Sequence, residues 1–396
     1  MRDLKHLLYF ENLLQEANNE LVQKAVKEDG KLALGYTCYH VPEALLNIGN
    51  CFSVRLRAPK TGSIDIATYY MSNYTCEYAR ALVERAIEGG YQFLDAMIGV
   101  DACSMMNRAM EHFEILKVNE KPSFFVTHCD IPYKITDYTL DSYVDQMRIH
   151  VLDKITEVFG VDTSDAAIRA AVAEHNEVCS IISEMGEMRK ADNPVITGYE
   201  YHILNLVSFT CPKRLILPYL KETLKELKTR KPDEKWPFRC KVVLAGSEND
   251  DPDFTKLVES CGAEVVCDRY CYGAVESRKP ITIEKGETPL QAIARHYLST
   301  SNCPRFMPQD EMRLRKQRLA DLVKEYGADG IIVCSNKFCE YWSYERVVDT
   351  IVLKRDFGIP VCSIEKEYIN TASGQLRTRF QAFVESVEIK KIQEGK

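Results

Sequence analysis

FLDAMIGVDACSMMNRAMEHFEIL (93–116) holds the pattern from which the fold is read. It opens with FLDAMIGV, a nearly continuous apolar run of strand length. It closes with SMMNRAMEHFEIL, whose apolar residues recur at three- and four-residue spacing, the period of a helix. Cys103 stands between them, where the strand hands over to the helix. In open α/β folds ligands collect outside the carboxyl ends of strands. Helix amino ends there favour thiolates and anions. Cys76 in NYTCEYAR (73–80) and Cys339 in SNKFCEYW (335–342) stand at similar junctions. Three thiolates converging on such an edge suit a metal or iron–sulfur site with one ligand position open.

Working outward, the strand candidates LALGYT (32–37), SVRLRA (53–58), FLDAMIGV (93–100) and PSFFVTHC (122–129) alternate with helical patterns. PEALLNIG (42–49) and CEYARALVERAIEGG (76–90) are two of these. The alternation predicts a parallel, doubly wound sheet. Residues 140–160, 164–191 and 218–231 then read as long helices, the second capped by Ser164 or Asp165. Strand candidates resume at 239–246, 263–270, 330–336 and 360–368. The expectation is an α/β chain with two Rossmann-like (flavodoxin-like) parallel-sheet domains and a helical segment between them. The divisions are 1–135, 136–236 and 237–396.

The chain has 396 residues, 28% of them charged, and a net charge of -7. That size calls for more than one core. The charge gives no electrostatic case for nucleic acid. No apolar run approaches the roughly 20 residues of a membrane span. The first residues carry charges throughout and read as an amphipathic helix rather than a signal peptide, so a cytoplasmic location is expected. Fifteen cysteines, an odd number without small-domain spacing, argue against a disulfide framework. A buried cysteine is ordinarily just a small apolar residue.

Neither a GxxxxGK[ST] loop nor GxGxxG after a strand is present, and HExxH, CxxC and GxSxG are absent. Glu43, in CYHVPEALL (38–46), has two readings: a carboxylate capping a helix first turn, or an acid/base facing the crevice. Cys38, in the same motif, ranks below Cys76 as a ligand. Arg305, after Cys303 in STSNCPRF (299–306), is a candidate for meeting an anion. Cys334 lies inside a strand and reads as inert, while Cys267, Cys271 and Cys362 read as core or loop thiols. His128 and His296 read as structural as readily as functional.

CYHVPEALL, NYTCEYAR, DACSMMNR, HYLSTSNCPRF, EYGADGIIVCSNKFCEYWSYE, FGIPVCSIEKEY and SGQLRTRFQAFVE occur in that order and resemble the 2-hydroxyacyl-CoA dehydratase family. The subunits of ATP-dependent benzoyl-CoA reductase and the double-cubane cluster proteins belong to the same family. The resemblance runs from about Leu34 to Glu388, and NKFCEYWSYE and GQLRTRFQAF are its most specific pieces. It implies a 4Fe-4S cluster on Cys76, Cys103 and Cys339, with the fourth iron open. It also implies an acyl-CoA substrate and a related subunit, or a second copy, as partner. A separate iron–sulfur ATPase would deliver the electron, so ATP would bind only on that activator.

The chemistry implied is loss of water from a (R)-2-hydroxyacyl-CoA, giving an enoyl-CoA through a ketyl radical. Benzoyl-CoA-type reduction, double-cubane reduction and a non-catalytic electron-transfer role are the alternatives. Ser104 is a candidate for a hydrogen bond to a cluster sulfur or for a helix cap. Arg305, Lys337 and Arg379 are candidates for coenzyme A phosphates. The chain has Ser104 after Cys103 and lacks a final aspartate in SIEKEY (363–368), two departures from the commonest family pattern.

Overall fold

The computed structural model describes residues 3–395 except 272, 302 and 370–372. Eight strands form two separate four-stranded sheets. β1 (Leu32–Tyr36), β2 (Cys51–Arg55), β3 (Ala96–Asp101) and β4 (Phe125–Asp130) make the first, in the order β2-β1-β3-β4. β5 (Cys240–Gly246), β6 (Ala263–Tyr270), β7 (Gly330–Asn336) and β8 (Val361–Lys366) make the second, in the order β6-β5-β7-β8. Every pairing is parallel. Each sheet therefore reverses its winding, the first between β1 and β3 and the second between β5 and β7, where a crevice opens at the carboxyl ends.

The predicted alternation corresponds to these strands, and the α/β reading holds. β5, β6 and β7 are buried at every position, as expected of parallel strands covered on both faces. PEALLNIG folds as a short 3-10 turn at Glu43–Asn47 rather than a full helix. The second long helix, Asp165–Glu187, is capped by Ser164, whose hydroxyl accepts from the Ala167 amide.

The helix Gly198–Thr210 was not legible from periodicity. Almost all of its residues are buried, so it has no polar face to mark an amphipathic stripe. A reciprocal capping box between Thr197 and Glu200 starts it. It packs against β2 of one sheet and β6 of the other, standing as a pillar between them. A single apolar core accordingly takes side chains from the first sheet, the connecting helices and the second sheet. No helix among the described residues is long and apolar enough to cross a membrane.

Gly246 ends β5 at φ +137, and a Cβ there would lie 1.8 Å from the Cys334 carbonyl oxygen. Only glycine permits that approach. It lets the chain leave β5 directly toward the crevice.

Candidate functional site

The carboxyl ends of both sheets face a cavity of about 150 Å³. Cys76, Cys103 and Cys339 all line it. Each is the N-cap of a helix: Glu77–Ile87, Ser104–Ile115 and Glu340–Phe357, in that order. A cysteine makes a poor capping residue, so the first amides of these helices are left to face the thiol sulfurs.

The electrostatics reflect that placement. Cys76 is held below the ordinary thiol range, first by a hydrogen bond shared with Cys339 and then by the amides of Ala79 and Tyr78, against the effect of burial. Its partner Cys339 is pushed up correspondingly. Burial raises Cys103 to about 11, although the amides of Met106 and Met105 pull the other way. Ser104 does not cap its helix; its hydroxyl donates to Glu340 Oε2 at 3.3 Å, tying the Cys103 and Cys339 helix starts together. Phe338 takes a left-handed φ of 60 immediately before Cys339. Strain in a non-glycine residue at such a point is characteristic of functional segments.

Three further thiols line the same cavity: Cys38, Cys271 and Cys303. Reading Cys271 as a core or loop thiol missed its position just beyond β6, at the cavity wall. Burial raises all three, Cys303 to about 12, and the thiols act on one another. Cys303 responds most, among the thiols, to Cys38, and Cys271 to Cys303. Cys339 responds to Cys76 and Cys103. The six thus divide into Cys76, Cys103 and Cys339 on helix starts, and Cys38, Cys271 and Cys303 on loops. Cys334, Cys267 and Cys362 are buried and do not line the cavity.

Among the described residues, no three His, Cys, Asp or Glu side chains stand close enough to share one metal ion. A polynuclear cluster makes a different demand, since each thiolate binds a different iron and the sulfurs are spread around it. A cavity ringed by six thiols fits that donor set.

Several candidates have other roles. Glu43 does not line the cavity. It starts the 3-10 turn, and its carboxylate is buried in a charge cluster. Lys213 Nζ donates to Oε1, Arg278 donates to Oε2 at 2.7 Å, and His175 Nδ1 stands 3.5 Å from Oε2. Burial by itself would raise this carboxyl; Arg278, Lys213 and His175 pull it well below the usual range instead.

Arg305 is fully buried and donates to the carbonyls of Ile131, Pro132 and Asp101, so it staples a loop rather than offering itself to an anion. Lys337 pairs with Glu367, and Arg379 donates to the Ser363 carbonyl. Neither lines the cavity. His296 is buried and does not line the cavity. His128 is half-buried against Gly99.

His40, Arg55 and Glu248 line the cavity and were not singled out from sequence. His40 Nε2 meets Ser301 Oγ at 2.8 Å, and Nδ1 lies 3.6 Å from Cys38 Sγ. A histidine two residues past a candidate cysteine was the available signal.

The model of the family described as 2-hydroxyglutaryl-CoA dehydratase, D-component, matches residues 38–387. The chain is 23% identical to the (R)-phenyllactyl-CoA dehydratase beta subunit of Clostridium sporogenes, over 94% of this chain and 96% of the relative. It is also 23% identical to the beta subunit of (R)-2-hydroxyglutaryl-CoA dehydratase from Acidaminococcus fermentans, over 91% and 94%. One of the subunits of benzoyl-CoA reductase from Thauera aromatica is 18% identical over 81% of each chain. With a match that takes in β2 to β8 and all six cavity cysteines, the chain belongs to the 2-hydroxyglutaryl-CoA dehydratase D-component family.

Proposed function

We propose that this chain is an iron–sulfur subunit of a radical 2-hydroxyacyl-CoA dehydratase, working in the cytoplasm. Cys76, Cys103 and Cys339 would hold a 4Fe-4S cluster, and the substrate would be a (R)-2-hydroxyacyl-CoA. The observation that carries this reading is the meeting of those three thiols, each at a helix start, on one cavity. When bound, the cluster supplies one-electron chemistry and an open iron as Lewis acid. The protein's part is to hold the thiolates at positive helix ends. It also keeps water from a reactive radical within a mostly buried cavity.

The chain lacks a phosphate loop, which accords with a separate ATP-dependent iron–sulfur activator. The relatives are named as subunits, which supports a paralogous partner or a second copy of this chain. Anaerobic purification with any co-purifying partner, then assay with activator, reductant and a 2-hydroxyacyl-CoA, tests the reading. Formation of enoyl-CoA is expected; net reduction of the acyl-CoA would exclude it in favour of a benzoyl-CoA-reductase-type role.

A second reading is favoured by the other three cavity thiols. Six thiolates suffice for two linked four-iron units, as in the double-cubane reductases, and the single-cluster reading leaves Cys38, Cys271 and Cys303 idle. Iron and sulfide analysis separates the two: about four irons per chain for the first, about eight for the second.

A further inference from the structure

The cavity wall where β2, β5 and β7 end includes Arg55, Glu248 and Asn336, and all three side chains are at least nine-tenths buried. Arg55 donates to the Cys271 carbonyl at 3.1 Å, and its guanidinium stands 3.6 Å from Glu248 Oε2. Asn336 is fixed by its amide N–H on Ser247 Oγ at 2.8 Å and by its side-chain nitrogen on the Glu248 carbonyl at 3.2 Å. These contacts leave two buried oxygens, Glu248 Oε1 and Asn336 Oδ1, that accept from no group among the described residues.

Buried acceptors without donors are costly, and each in a native protein calls for a reason. Here both belong to a wall that faces the same space as the thiols. A ligand hydroxyl between them would donate to Asn336 Oδ1 and accept from Glu248 Oε1 when that oxygen carries a proton.

We propose that Glu248 is a catalytic proton donor of this cavity, with Arg55 and Asn336 positioning the ligand oxygen that it protonates. Burial favours the neutral acid, raising the Glu248 carboxyl well above the usual range although Arg55 opposes this; Asp250 and Cys76 raise it further and Lys366 lowers it. Arg55 at 3.6 Å is too far for a strong charge-assisted hydrogen bond, and it is already engaged by the Cys271 carbonyl.

The step rests on the dehydratase reading above. The C2–O bond of the 2-hydroxyacyl group breaks, and the departing oxygen takes the Glu248 proton and leaves as water. The C3 hydrogen leaves as a proton and restores the carboxylic acid, so protons balance and the elimination is redox-neutral overall.

The test uses the whole protein, with its partner and activator, as wild type and as Glu248→Gln. Glutamine keeps the shape but has no acidic proton. Infrared difference spectra of the two resting proteins should contain a protonated-carboxyl carbonyl band, shifted in heavy water and absent from the variant. With a 2-hydroxyacyl-CoA, kcat should fall at least about 100-fold while KM and iron content stay unchanged. Absence of the band, an unchanged kcat, or loss of iron in the variant overturns the assignment. A wild type that forms no enoyl-CoA sinks the dehydratase reading instead; the infrared band then still decides whether Glu248 holds a proton for the ligand.

Discussion

The two cysteine triads share a cavity but are built differently. Cys76, Cys103 and Cys339 each begin a helix, so their sulfurs face peptide dipoles and unshared amides. Cys38, Cys271 and Cys303 lie on loops after β1, after β6 and between helices, and burial dominates their thiols. Within the first triad Cys76 alone is held below the ordinary thiol range; Cys103 and Cys339 are raised, as are all three thiols of the second triad, and these five need a metal to hold them ionised. The difference teaches that being in the cavity and being ready to ligate are separate properties.

The largest effect should come from the helix-start triad. Cys76→Ser should remove most of the iron and all turnover, whereas Cys334→Ser, altering a thiol inside β7, should change neither. Equal iron contents in the two variants would erase the distinction.

Cys303→Ser sharpens the comparison. Iron should drop from about eight to about four if both triads ligate, and should stay near four if only the first does.

Lys213→Met tests whether the charge cluster around Glu43 is structural. It leaves a buried carboxylate with Arg278 as its main partner, and should cost about 3–5 kcal/mol of stability in chemical denaturation. A change below about 1 kcal/mol would mean that Glu43 is relieved by water or by protonation.

The pH effect is gradual. Burial lowers His40, His175 and His202 from 6.5 to about 3. Below pH 6.5 the unfolded chain therefore binds protons that the folded chain refuses, so stability falls as pH drops from 6.5 toward 3. The contribution is fully present above 6.5. A melting temperature flat between pH 7 and pH 5 would show that these rings charge inside the fold.

The strands and the first triad were legible because their signals are local. β5 to β7 are short apolar runs between breakers, and a cysteine between a strand pattern and a helix pattern can be seen in ten residues. The second triad was not grouped, since Cys38, Cys271 and Cys303 lie in loops without a shared pattern. Arg305 followed Cys303 and invited an anion-binding reading, yet its acceptors are backbone carbonyls more than 170 residues earlier. Glu43 had two readings from its motif; its partners are at 175, 213 and 278. Nor could the buried helix Gly198–Thr210 be seen, because burial all round leaves no period.

By itself, then, the sequence determined the α/β alternation and three cysteines at helix starts, since backbone propensity and side-chain period are written within a few residues. Only the tertiary structure decided that the two sheets point their carboxyl ends at one cavity. It alone grouped six thiols, turned Glu43 inward and set Glu248 on the wall. Those outcomes depend on which distant segments share a core, and packing and desolvation act between neighbours in space rather than along the chain.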